Sequence, residues 1–388
     1  PKTRRYSFAE WHEDQCQHFW QKGCECKREL MNISIRGLVL LLLTLALGAK
    51  VVRLYHPYTF THADAGWQII SVISLAEDGD LDMRNQLGGE VQAAGDQVAL
   101  GRHGQWYDVH EYLLPLLALP FYLLFGINGT LIFNFLASIL LLVLVYEICR
   151  KNSSELAALG AAVAAFIVLE DVSTVYYFST DTLGAVLLAG SIVCVIYRRP
   201  ALGGLVFGLA FLGRFSNIAA LPGMLFFAAA FGGKHAAYRF TCAFVPGLLG
   251  FALGNHLMFG SPFTCSYFRQ AYAVDGVLQV VSQERFFSFE HVGRNLWNMF
   301  INRSTGFAVS APLMLFGFLF GLPALWRNAR PTVLAIVVIS AGQLLFFAFY
   351  ENALANGGGP RHVLGMLMLW AAPLAACFDQ ALMPGQNR

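Results

Sequence analysis

Apolar residues gather along this chain into runs long enough to cross a bilayer, separated by short polar connections and by two long ones. A membrane-spanning helix needs about 20 predominantly apolar residues. Such runs fall at 35–55, 130–149, 155–170, 181–197, 200–213, 216–232, 240–258, 305–326, 331–350 and 362–383. The pattern predicts an all-α polytopic membrane protein of about ten transmembrane helices. The run 200–213 is short for a crossing and calls for tilt or buried flanks. The chain then divides into a leader (1–34), a first transmembrane helix (35–55), an outer loop (56–129), a block of transmembrane helices (130–258), a second outer loop (259–304) and the C-terminal transmembrane helices (305–388).

Positive charge sets the sidedness. Lys and Arg concentrate in the leader (Lys2, Arg4, Arg5, Lys22, Lys27, Arg28, Arg36) and then at Arg150-Lys151, Arg198-Arg199, Lys234 with Arg239, and Arg327 with Arg330. All of these fall on the cytoplasmic side if the apolar stretch 112–126 does not cross. That stretch is short and contains Pro115 and Pro120, so it is expected as a juxtamembrane helix in the outer interface. The chain is therefore expected in the inner (plasma) membrane with its N-terminus cytoplasmic, and the polar stretch before residue 35 argues for a retained anchor over a cleaved signal. Both long loops share the outer, periplasmic side. Polar backbone cannot face lipid, so these loops must pack on each other or on the helix ends, and a roofed cavity there is the natural place for chemistry.

Composition agrees: 56% of residues are hydrophobic and 13% charged, with mean hydropathy +0.54, too apolar for a soluble domain. A net charge of +2, scattered between apolar runs, excludes a nucleic-acid partner. His12, Cys16, His18, Cys24 and Cys26 in the leader lack the paired spacing of a zinc ribbon, so no metal is expected. No repeat of 20 to 50 residues and no inverted halves are visible, unlike many secondary transporters.

Candidate chemistry lies at the outer ends of the spans. Asp64, with His62 beside it, follows the first span by a few residues and also fits a helix N-cap. Residues 66–76 read as an amphipathic helix with Trp67, Ile70, Ile73 and Ser74 on one interfacial face. Asp78, Asp80 and Asp82 then read as a structural turn, because the twelve-residue loop of a calcium site is missing. Arg214 sits between two short apolar helices, where a charge must face a cavity or a partner. Arg361 follows Gly357-Gly358-Gly359-Pro360; its guanidinium suits phosphate, or it snorkels at a helix end. Asp181 is placed to cap the next helix.

The order of short motifs carries a resemblance. Asp64, the helix that follows it, Gly79-Asp80, the segment Trp106-Tyr107-Asp108-Val109-His110-Glu111-Tyr112-Leu113-Leu114-Pro115, Phe125-Gly126, Ser179-Thr180-Asp181, GLAFLGRFSNIAALPGM, GNHLMFGSPF, RSTGFAVSAPLMLFGFLFGLPAL and GGGPRHVLGMLML occur in succession over residues 35–383. Together they resemble the GT-C superfamily of membrane glycosyltransferases, close to protein O-mannosyltransferases and the lipid A aminoarabinose transferases of bacteria. The resemblance implies a GT-C-like fold with juxtamembrane helices in the first outer loop. It also implies inverting transfer of a sugar from a polyprenyl-phosphate donor to an unknown acceptor at the outer face. Asp64 would then be the general base, Arg361, Arg214, His110 and Glu111 would contact the donor phosphate or head group, and His62, Asp181 and His362 would support them. The lipid-linked sugar is a substrate and no cofactor is implied; membrane lipids, and a membrane-protein partner if the chain belongs to a complex, complete the partners. Two positions depart from the O-mannosyltransferase pattern: Asp64-Ala65 stands in place of Asp-Glu, and His110-Glu111 in place of a Lys-Pro-Pro core. They keep open a non-catalytic GT-C-like accessory subunit as the alternative. A lipid-linked-sugar transporter would want polar residues along the spans, which are poor in them.

Overall fold

The computed structural model describes residues 63–89, 97–171, 178–280, 288–303, 306–350 and 359–382, with 37, 44–46 and 48. The Cys/His leader, His62 and most of the run 35–55 lie outside the described residues. The chain forms two units, 1–49 and 50–388, and the elements that follow belong to the second.

The two short helices expected in the first outer loop, and the apolar runs that follow them, become helices at close to their expected bounds. These are α1 (Ala63–Glu77), α2 (Leu113–Phe125), α3 (Ile127–Arg150), α4 (Glu155–Asp171), α5 (Thr180–Ile196) and α6 (Pro200–Gly213). A 3-10 turn, Phe215–Ala220, leads into α7 (Leu221–Phe259). Runs 216–232 and 240–258 thus form one long element, two helices joined across a kink at Gly233, whose φ of 72° suits a residue without Cβ. After α8 (Val292–Ile301) and the single turn α9 (Phe307–Ser310), runs 305–326 and 331–350 likewise merge as α10 (Pro312–Phe349), kinked at Ala329 beside Pro331. The chain closes with a 3-10 turn, Gly359–Val363, then α11 (Leu364–Leu369) and α12 (Ala371–Leu382).

Among the described residues, four elements are long and apolar enough to cross a membrane: Ile127–Arg150, Phe215–Phe259, Pro312–Phe349 and Arg361–Leu382. The helices Leu113–Phe125, Thr180–Ile196 and Pro200–Gly213 are shorter than a straight crossing, so helix length alone does not establish the expected ten spans. Of the four, Arg361–Leu382 is the most enclosed, with 72% of its apolar window buried against 39 to 50% for the others. The last segment therefore runs through the middle of the bundle, and Arg361 stands at its end.

Helix α6 is short but tightly held. A Cβ on Gly204 would sit 2.0 Å from the Phe240 carbonyl oxygen, and one on Gly247 would sit 2.5 Å from Gly208 Cα. The glycines let α6 and the second half of α7 touch backbone to backbone, as small residues do between membrane helices. Because 204 meets 240 and 208 meets 247, the two segments run parallel, and the residue after α6 lies at the same end of the bundle as the end of α7.

A small sheet joins the two long loops. β1 (Val98–Leu100) pairs antiparallel with β2 (Trp106–Asp108) and on its other edge with β3 (Gln270–Val274), which pairs with β4 (Val277–Val280). The registers are Val98 opposite Asp108 and Val98 opposite Ala271. The β3–β4 turn is Asp275-Gly276, both at positive φ (51° and 76°), the two-residue loop whose twist matches paired strands. The loops do pack on each other, as expected, but through strands that an all-α reading leaves out.

Helix α1 lies between this sheet and the helices. Ala65, Ile69 and Val72 pack on Leu113, Leu114 and Ala118 of α2 and on Phe178 and Leu183. Trp67 and Ile70 instead pack against Met83, Val98 and Trp106. The face expected at an interface is thus divided: Ile73 joins the helix side, and Ser74 donates to Asp80 Oδ1 (3.2 Å) and the Asp82 carbonyl (3.0 Å). These bonds, with Asp82 Oδ1 accepting from the backbone N–H of Trp106 at 2.8 Å, make the Asp78–Asp82 stretch a turn that anchors the sheet.

Candidate functional site

The start of α1, the start of α5, the joint between α6 and α7, the end of α10 and the turn before α11 converge on a cavity with about 150 Å³ of water-accessible space. The loop before α2 and the segment 265–272 close it, with Glu111, Tyr267 and Gln270 in its wall. Asp64, His110, Glu111, Asp181, Arg214, Arg361 and His362, spread over nearly 300 residues of sequence, all line this one space.

Local structure explains each position. α1 begins at Ala63, so Asp64 is a first-turn carboxylate and not the N-cap; it is free to accept from Arg361, whose Nη2 lies 2.7 Å from Asp64 Oδ2. Arg361 is therefore paired in the cavity and does not snorkel. Ser179 takes the cap of α5, accepting from the Asp181 N–H at 3.0 Å. That leaves the buried Asp181 carboxylate for a direct ion pair with Arg214 Nη1. Arg361 Nε is 3.9 Å from the other Asp181 oxygen. Arg214 is an extended residue (φ −160°, ψ 107°) between α6 and the 3-10 turn. The guanidinium also donates to Thr180 Oγ1 (3.3 Å) and to His362 Nδ1 (2.9 Å) and lies over the Phe347 ring. Because arginine can only donate, His362 Nδ1 accepts; the ring stacks on Phe347 at 5.7 Å. Glu111 fixes the joint from below: its Oε1 accepts from the Phe215 N–H at 2.6 Å, the first amide of the 3-10 turn.

His110 completes the cluster. Its Nδ1 is 2.9 Å from Asp108 Oδ1 and its Nε2 is 3.8 Å from Asp64 Oδ2. Burial works against a charged imidazole, but the carboxylate of Asp108, its hydrogen bond and Asp64 outweigh it and raise the pKa to about 9, so the ring is cationic at neutral pH. Burial also opposes ionisation of Asp64, yet His110 and Arg361 hold its pKa below the ordinary carboxylate value. Glu111 moves the other way: burial raises it, and Arg214 and the Phe215 amide offset this only in part. The Tyr267 hydroxyl, buried beside Glu111, is pushed well above the usual phenol range.

Among the described residues, no group of three or more His, Cys, Asp or Glu side chains is placed to hold a metal ion. The arrangement is instead one of interlocked cations and carboxylates, which can bind an anion and hold an ionised base beside it.

No family model matches this sequence, and no curated protein matches it significantly. Among solved structures, the crystal structure of the Archaeoglobus fulgidus oligosaccharyltransferase in its apo form is similar, with a TM-score of 0.54 at 13% identity over 89% of this chain and 50% of that one. What the two share is the fold. This chain spans about half the length of the Archaeoglobus fulgidus protein.

The sequence assigns no site role to Gln68, Tyr267 or Phe347, nor to Asp108 and Thr180, which lie inside the motifs; all five touch the cavity or its charged groups. Gln68 is four residues after Asp64, one turn along the same helix face, and that spacing was the available signal.

Proposed function

We propose that this protein is a GT-C-type glycosyltransferase that moves a sugar from a polyprenyl-phosphate donor to an acceptor hydroxyl at the outer, periplasmic membrane face. The observation that carries the reading is the meeting of Asp64 with Arg361 at 2.7 Å in a cavity that also holds the Arg214–Asp181 pair. A phosphate leaving group needs positive charge, and an attacking hydroxyl needs a base within reach. Arg361 and Arg214 supply the first, their planar donor sets suiting phosphate oxygens. His110, cationic beside Asp64, adds to the field, and Asp181, with His362, orients the two guanidiniums.

Asp64 is the base. The acceptor oxygen attacks the anomeric carbon opposite the phosphate and gives its proton to Asp64. The carbon–oxygen bond to phosphate breaks, and the electron pair departs with the polyprenyl phosphate, inverting the anomeric centre. Asp64 is a weak base while Arg361 holds it, and transfer of Arg361 to the incoming phosphate strengthens it. The fold likeness to an oligosaccharyltransferase supports the class of reaction. The motif order supports the monophosphate donor.

The test is transfer from a panel of radiolabelled polyprenyl-phosphate sugars by the purified protein and its Asp64→Asn variant, with candidate acceptors supplied. Transfer by the parent, reduced at least about a hundredfold in the variant, is expected. Transfer that survives removes Asp64 as base, and a folded parent that neither binds nor turns over any donor moves the reading to a non-catalytic accessory subunit.

A further inference from the structure

Gln68 is fully buried (0% exposed). Its neighbours on α1, Ala65, Ile69 and Val72, pack into the apolar core, where an amide would be replaceable by leucine if packing were all that mattered. Yet neither Oε1 nor Nε2 has a hydrogen-bond partner among the described residues. A buried carboxamide without partners costs free energy, and this one lines the cavity one turn from Asp64. Glu111 Oε2 and Ser216 Oγ, which line the same cavity, are also buried and unpartnered among the described residues. Both belong to side chains that flank the Phe215 amide, so the 3-10 turn holds them in place.

These atoms have a different chemistry from the arginines. Arg214 Nε and Arg361 Nε are donors only and match phosphate oxygens, which only accept. Gln68 Oε1 and Glu111 Oε2 are acceptors and have nothing to offer a phosphate. They require a ligand group that donates, while Gln68 Nε2 requires one that accepts; sugar hydroxyls do both.

Resting on the reading above, we propose that Gln68, with Glu111 and Ser216, forms the subsite that binds the hydroxyls of the donor's sugar ring, separate from the arginines that bind its phosphate. Gln68 is thereby a specificity-determining residue: it reads the sugar and not the lipid phosphate.

The experiment compares binding of a polyprenyl-phosphate hexose and of sugar-free polyprenyl phosphate to the purified full chain, the parent beside Gln68→Met, with thermal unfolding of each unliganded protein. Gln68→Met is expected to keep or raise the melting temperature, because it removes an unpaired buried amide. It should weaken the sugar-bearing lipid about tenfold or more, the loss of one to two hydrogen bonds, and leave the sugar-free lipid unchanged. Gln68→Leu, which removes both polar groups without adding charge, should show the same split and serves as the second variant if Gln68→Met does not fold. Equal weakening of both lipids with a lower melting temperature would assign Gln68 a structural role and overturn the subsite. So would unchanged affinity for the sugar-bearing lipid, or equal affinity of the parent for both lipids. A parent that binds neither lipid fails earlier, at the glycosyltransferase reading itself, and takes the subsite with it.

Discussion

The Asp181–Arg214 pair offers the sharpest test of the site's physics. Asp181 is 4% exposed and Arg214 9%, and the pair closes the cavity between α5 and the α6–α7 joint. Asp181→Asn keeps the size and the Ser179 cap but removes the charge opposite a buried guanidinium, whose remaining neighbours include Thr180 Oγ1, His362 Nδ1 and the Phe347 face. Removing one partner of a buried pair typically costs about 3–5 kcal/mol, because the survivor keeps its desolvation penalty without its compensation. A solvated pair would cost no more than about 1 kcal/mol. Arg214→Met should cost less than Asp181→Asn, since Asp181 still faces Arg361 at 3.9 Å. The double variant removes both charges, so its cost should fall well below the sum of the singles, with an interaction energy of roughly 2–3 kcal/mol.

The assay is reversible unfolding in mixed detergent micelles of the parent, both single variants and the double variant. Additive singles, or an Asp181→Asn cost under about 1 kcal/mol, would refute the argument: the cavity would then be wet enough to screen the pair, and the convergence of seven polar side chains would lose its energetic meaning. The cycle needs no substrate, so it tests the architecture independently of any activity.

Two further outcomes follow from other parts of the structure. The His110 pKa rises from 6.5 to about 9 in the folded protein, so the stabilisation is fully present below pH 6.5 and is lost as pH climbs to about 9; unfolding free energy should fall over that window by no more than about 3 kcal/mol. The fall should be absent in His110→Asn, and a parent whose stability is flat or rises from pH 6.5 to 9 would contradict the assignment. Gly204→Ala should abolish recovery of monodisperse protein in detergent, because its Cβ would lie 2.0 Å from the Phe240 carbonyl oxygen, whereas Gly190→Ala, with its nearest neighbour at 3.6 Å, should behave as the parent. Equal recovery of the two variants would mean that α6 and α7 do not pack backbone to backbone.

The helices were largely legible because bilayer-length apolar runs are long, one-sided signals. The run 155–170 and the helix Glu155–Asp171 differ by a residue. Charge pattern and the prolines at 115 and 120 correctly marked Leu113–Phe125 as a short helix apart from the long ones. What could not be read was how runs join. Gly233 and Ala329 interrupt two long elements through backbone angles, and glycines are too common in this sequence for one of them to announce a kink. The sheet was missed for a different reason. Strands of three to five residues carry almost no periodicity, and the pairing of Val98 with Ala271 is a contact across more than 170 residues. Only Asp275-Gly276 between Val274 and Val277 was a local signal for a hairpin.

The site shows the same division. Asp64, Arg214 and Arg361 stood out as charges at the ends of apolar segments. Their pairing did not, because proximity between Asp64 and Arg361 depends on α1 docking beside the last segment of the bundle. The cap of α5 shows how local rules mislead at such a place. Ser179 and Asp181 both suit a helix start, and sequence cannot say which will serve. Since Ser179 accepts the amide, Asp181 is released to meet Arg214, and a capping residue by composition becomes a charge partner by geometry.

That release bears on how the proposed reaction would start. Asp64 is ionised and held by Arg361 and His110, which makes it ready to accept a proton in charge but not in basicity. Asp181, 3.9 Å from Arg361 Nε, keeps a second negative charge on the far side of the same guanidinium. A donor phosphate entering the cavity competes with both carboxylates for Arg361. When it takes the Nη2 contact from Asp64, the carboxylate loses its strongest hydrogen bond and its proton affinity rises, while Arg214 keeps its pairing with Asp181 as it contributes its charge to the phosphate. The two aspartates thus have unequal parts on this reading: Asp64 gives up its arginine to gain a proton, and Asp181 keeps its own so that the exchange happens at one side only. An Asp181→Asn protein would lose that restraint, and its donor affinity should change even where Asp64→Asn leaves binding intact.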